Sequence, residues 1–89
     1  MQTDTEEDVL VVEQLVDQKM LVVFNDDVNS FDHVTASLIK VCKHESIQAE
    51  QCTWIIHNNG KCDVKRGDFE ALEPMCVALL DRGISAEIH

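Results

Sequence analysis

Between residues 19 and 24 the chain reads KMLVVF, a continuous apolar run rich in β-branched side chains. A run this short predicts a strand covered on both faces, or nearly so. Past Asn25 the period changes. Phe31, Val34, Leu38, Val41 and Cys42 recur at three- and four-residue intervals and predict a helix over residues 30–43. Asn29 and Ser30 are its N-cap candidates, and Asp32 in the first turn suits the positive end of the helix dipole. Glu45 and Ser46 open a second helix with Ala49, Cys52, Thr53 and Ile56 on its buried stripe. It ends at HNNG, where Gly60 fits the left-handed position that closes a helix. With so short a connection the two helices pack as neighbours.

The stretch GKCDVKRG sets Cys62 and Val64 against Lys61, Asp63 and Lys65, the period of a half-exposed strand. A third helical stripe follows at Leu72, Met75, Cys76 and Leu79, with Gly83 beyond its end. Pro74 lacks an amide donor and disfavours helical geometry at Glu73. A turn at 68–72 and a helix from residue 73 or 74 to residue 82 are therefore expected. Ile84, Ala86 and Ile88 alternate as a last strand over 84–88. The order is β-α-α-β-α-β, an α+β domain over residues 19–89. Residues 9–16, VLVVEQLV, fit neither period and read either as a strand beside the first one or as a short helix. Residues 1–18 form an acidic extension, its first eight residues expected to be disordered.

The 89 residues suffice for one small core. Seventeen acids against seven bases give a net charge of −10, which repels phosphate backbones and attracts cationic groups, so nucleic-acid binding is disfavoured. The longest apolar runs are too short to span a membrane, and the acidic start is unlike a signal peptide. A cytoplasmic protein, simplest as a monomer, is the expectation. Cys42, Cys52, Cys62 and Cys76 form no Cys-x-x-Cys pair and fall on apolar phases, so they read as buried, reduced thiols. His33 and His89 read as surface residues, and Trp54 as packing beside the buried stripe.

Asn25, Asp26 and Asp27 end the first strand, and His57 lies in the last turn of the second helix. If that helix packs beside the strand, these groups meet in a polar cluster rimmed by Phe31, Val34, Thr53 and Ile56. Carboxylate, amide carbonyl and imidazole all accept from a cationic amine, and the apolar rim suits a hydrophobic body attached to it. As a turn, Asn-Asp-Asp would need no ligand at all. Two carboxylates and one His are too few for a metal site, and no nucleophile stands at a catalytic spacing from a base. No enzyme activity, metal or cofactor is expected.

The combination of VVFNDD, FDHV and IIHNNG, with this order of elements, resembles the ClpS adaptors of bacterial Clp proteases over residues 19–88. The resemblance implies a three-stranded antiparallel sheet packed on three helices, similar to the C-terminal domain of the ribosomal stalk protein. It also implies that Asn25, Asp26 and His57 hold the α-amino group of a substrate's first residue. Asp27 and Asn29 would lie near the following backbone, and Phe31, Val34, Thr53 and Ile56 around a pocket for Leu, Phe, Tyr or Trp. Such an adaptor delivers N-end degron substrates to an AAA+ unfoldase of ClpA or ClpC type, docking through Glu70 and Glu73. This chain departs from the family pattern at Phe31 and Thr53, where Met is usual, and at Met75, where Lys is usual. A stalk-like interaction domain without amino-terminus recognition is the alternative.

Overall fold

A computed structural model describes residues 18–89, and the expectations for the N-terminal extension and for residues 9–16 lie outside the described residues. The elements are β1 (Lys19–Phe24), α1 (Phe31–Cys42), α2 (Ser46–Asn59), β2 (Lys61–Gly67), α3 (Phe69–Asp81) and β3 (Ala86–Ile88). The expected β-α-α-β-α-β order and α+β class hold. β1 is the central strand of a three-stranded sheet and pairs antiparallel with β2 on one side and β3 on the other. This central position explains why its sequence is a continuous apolar run, with Leu21, Val22 and Val23 all buried. Between Leu21 and Val22 the register with β2 shifts by one residue, a bulge that inserts buried Val64 without breaking the alternation on that strand.

Leu21 and Val23 meet Val34, Leu38 and Cys42 of α1, Ala49 and Ile56 of α2, and Leu72, Cys76 and Leu79 of α3 in one core. Two of the four cysteines, Cys42 and Cys76, are buried as expected, whereas Cys52 and Cys62 are only half-buried at the core's edge. Ser30 caps α1, its hydroxyl accepting from the His33 N–H at 3.1 Å. Lys43 ends the helix in the left-handed region, with φ of 62°, and turns the buried His44 back under it.

The start of α3 differs from expectation. The helix begins at Phe69, and Pro74 lies inside it, in its second turn. Asp68 provides the start: its carboxylate accepts from the Ala71 N–H at 2.8 Å, and its carbonyl from Leu72 N–H at 3.1 Å. The amide that Pro74 lacks would have faced the Glu70 carbonyl, so only one first-turn acceptor loses its partner. Leu72, 1 % exposed, is thereby driven into the core, and that burial together with the cap outweighs the proline.

His33 also differs from expectation. It is half-buried, and its Nε2 lies 2.9 Å from the Arg82 carbonyl, which fixes Nε2 as the protonated, donating nitrogen. Arg82 in turn donates through Nε to the buried Ser37 hydroxyl at 2.7 Å. This pair of bonds fastens α1 to the end of α3. His89 is exposed, as expected, and pairs with Glu87 at 2.9 Å.

Candidate functional site

Three backbone contacts fix the end of β1 and the end of α2, and one of them joins the two. Phe24 N–H donates to the Ser85 carbonyl at 3.0 Å, which holds the end of the strand against the lead-in to β3. One residue later, Asn25 N–H donates to the Gly60 carbonyl at 2.8 Å. Gly60 itself closes α2 with φ of 94°, its N–H returning to the Ile56 carbonyl at 2.9 Å. A side chain at that dihedral would be strained, so glycine is what allows the chain to reverse tightly into β2. His57 therefore sits in the turn of helix nearest to Asn25 and Asp26.

Asp26 organises the loop that follows. Its Oδ1 accepts from the backbone N–H groups of Val28 at 3.0 Å and Asn29 at 2.9 Å, and its Oδ2 from the Asn29 side-chain amide at 2.8 Å. The other hydrogen of that amide goes to the Gly83 carbonyl at 2.8 Å, tying the loop to the turn before β3. The Asn29 N–H holds the Asp26 carboxyl below its ordinary range against the opposing effect of partial burial; Val28, the Asn29 amide and the nearby His57 add to the lowering. Asp26 is thus a carboxylate near neutrality, and Oδ2 keeps one direction open for a further donor.

His57 is exposed, with neither ring nitrogen bonded to a described residue. Its ring meets Phe31 edge to face, with centroids 5.5 Å apart, and Phe31 meets Trp54 in the same way at 5.8 Å. Beside these groups lies a shallow cleft of about 190 Å³, including its open mouth, lined by Phe24, Asn25, Asp26, Asn29, Val34, Ile56, His57 and Ile84. Six of the residues expected at the site share this cleft: Asn25, Asp26, Asn29, Val34, Ile56 and His57. Val34 and Ile56 are buried and form its apolar floor.

The other expected residues stand elsewhere. Asp27 is exposed and does not line the cleft, and Phe31 stands beside His57 as a flank and not a wall. Thr53 is fully buried, its hydroxyl donating to the Ala49 carbonyl at 2.8 Å and meeting the Thr35 hydroxyl at 2.8 Å, so it supports the floor from below. Phe24 and Ile84 are lining residues that the sequence reading missed. Their signal is the antiparallel pairing of β1 with β3, which sets the lead-in to β3 beside the end of β1.

The chain matches the family model described as ATP-dependent Clp protease adaptor protein ClpS over residues 14–87. It belongs to the ClpS family. Comparison with curated proteins finds no match. ClpS is an adaptor of an ATP-dependent protease and not the protease, and the family membership gives the chain that general role. In this ClpS chain Glu70 and Glu73 lie exposed on α3 outside the cleft, on a helix that also exposes Phe69, Val77 and Leu80. Trp54 is 60 % exposed and meets Phe31 edge to face, so it is less a core residue than its place beside the stripe implied. Among the described residues no group of three His, Cys, Asp or Glu side chains is arranged to hold a metal ion, and no helix is long and apolar enough to cross a membrane.

Proposed function

We propose that the cleft binds the first residue of an N-end degron substrate, which the chain then presents to a Clp AAA+ unfoldase. The observation that carries this reading is the convergence of three acceptors beside an apolar floor. Asn25 and His57 have side-chain polar groups with no bond to a described residue, and Asp26 is ionised with an open direction at Oδ2. An α-amino group is cationic near neutrality and carries three hydrogens, one for each acceptor. The first side chain would rest on Val34, Ile56 and Ile84, which suits Leu, Phe, Tyr or Trp and gives a polar residue nothing to bond.

The cleft is shallow, so a large first side chain needs its walls to move apart. Phe31, on the flank, would shift with them, since its ring touches His57 on one side and the exposed Trp54 on the other. Asp27, exposed at the edge of the loop, would face the peptide's next backbone groups in this reading. Thr53 acts through the floor and not by contact. Delivery would use the exposed side of α3 bearing Glu70 and Glu73, in keeping with a cationic or hydrogen-bond-donating surface on an unfoldase of ClpA or ClpC type.

Calorimetric titration with peptides that differ only in residue one tests the reading. Peptides beginning with Leu or Phe should bind, and replacing that Leu by Ala should cost about 1.5–3 kcal/mol of apolar burial. Indifference to the first side chain would overturn the assignment of the cleft.

A further inference from the structure

Outside the cleft, His33, Ser37 and Arg82 form a closed circuit of hydrogen bonds between α1 and the end of α3. His33 Nε2 donates to the Arg82 carbonyl at 2.9 Å, and Arg82 Nε donates to the Ser37 hydroxyl at 2.7 Å. That hydroxyl donates in turn to the His33 carbonyl at 2.7 Å. Ser37 is fully buried, so its one proton is committed and it faces Arg82 as an acceptor. A bond from a charged donor is stronger than one between neutral groups. Residue 82 is therefore clamped to α1 by both its side chain and its carbonyl.

Gly83 comes next, with φ of 81° and its N–H returned to the Leu80 carbonyl at 2.9 Å. Its carbonyl accepts one hydrogen of the Asn29 side-chain amide at 2.8 Å, and the other hydrogen of that amide reaches Asp26 Oδ2 at 2.8 Å. Rotation about a glycine is weakly opposed by sterics, so the direction of the Gly83 carbonyl depends on what holds the residues around it. The circuit at Arg82 holds the residue immediately before. We infer that Arg82 is a positioning residue of the amine site: its clamp on α1 fixes the Gly83 carbonyl, which fixes the Asn29 amide, which aims Asp26 Oδ2 at a ligand's amino group. This rests on the reading of the cleft as an amine site and adds to it a residue that touches no ligand. Side-chain selection on Val34, Ile56 and Ile84 does not pass through these bonds, so the clamp acts on the amine alone.

The test is calorimetry on the full chain with a Leu-initiated peptide, its N-acetylated form and an Ala-initiated peptide. For each protein this gives an amine ratio, free over acetylated, and a side-chain ratio, Leu over Ala. Arg82→Met keeps the stem and removes the guanidinium; it should lower the amine ratio by about two- to tenfold and leave the side-chain ratio within about twofold. His33→Phe should act in the same way, whereas His33→Gln, which keeps a donor near the Nε2 position, should restore the wild-type amine ratio. Because the effect runs through Asn29, adding Arg82→Met to Asn29→Ala should lower the amine ratio no further. The inference is overturned if Arg82→Met and His33→Phe keep the wild-type amine ratio, if both ratios fall together, or if the effects of Arg82→Met and Asn29→Ala multiply. Those outcomes leave the amine site standing. A wild-type chain that does not distinguish free from acetylated peptide overturns the amine reading itself and the inference with it. Should Arg82→Met fail to fold, the two His33 variants decide the matter.

Discussion

Asp26 accepts two backbone N–H groups and one side-chain amide within its own loop, so its carboxylate both shapes the site and is free to meet a ligand. In Asp26→Asn a carbonyl can still accept the two N–H groups, but an amide would face the Asn29 amide donor to donor. The sequence alone suggests that a turn position tolerates either residue; the observed bonds predict a loss of stability of about 1 kcal/mol, read from denaturant unfolding. Amine binding should weaken by tenfold or more in the same variant. The lowered pKa sets the pH window. A carboxyl held below its ordinary 3.8 contributes stability that is complete above the unfolded value and is lost as pH falls through the folded one. The stability gap between wild type and Asp26→Asn should therefore close in acid, below the usual carboxylate range. At the other end, peptide binding should decline as the free α-amino group titrates, above about pH 8. The acceptors of the site were legible because Asn-Asp-Asp and His57 are unusual next to apolar runs. His33 was not, because its partner Arg82 is far away in the chain and only the folded molecule brings them together.

The elements follow from periodicity wherever one signal dominates. β1, α1, α2 and β2 lie close to their expected positions, with Ser30 and Gly60 acting as the predicted start and stop. α3 sets two local rules against each other, the proline at 74 and the cap at 68, and the proline alone misleads about where the helix begins. Asp68→Ala should cost about 1 kcal/mol by chemical denaturation, because it removes the cap of a helix that starts at Phe69. A helix beginning at Pro74 would leave that substitution neutral. Pro74→Ala should stabilise by about 1–2 kcal/mol: it restores the bond to the Glu70 carbonyl, less some added freedom of the unfolded chain. Pro74 is exposed, so no packing is lost in the exchange. The lining residues Phe24 and Ile84 belong to this scale too. Phe24 ends β1 and Ile84 lies in the lead-in to β3, and only the β1–β3 pairing makes them neighbours.

At the scale of the whole molecule seventeen acids face seven bases, and among the described residues no Lys or Arg is salt-bridged to a carboxylate. Self-repulsion of this kind is screened by salt, so the thermal midpoint should rise with ionic strength. The acidic surface and the proposed amine site point the same way, toward ligands with a cationic end. Fold class was legible in the sequence because the order of elements leaves few ways to bury six apolar faces in one core. The depth of the cleft was not, because it depends on how Val34, Ile56 and Ile84 pack, and periodicity does not report that. The central claim is that the site recognises a free amino terminus, and calorimetry with one Leu-initiated peptide, free and N-acetylated, tests it most directly. The acetylated peptide should bind more weakly by about 1.5–3 kcal/mol, the worth of a hydrogen bond to a charged group. Equal affinity for the two peptides would contradict the account.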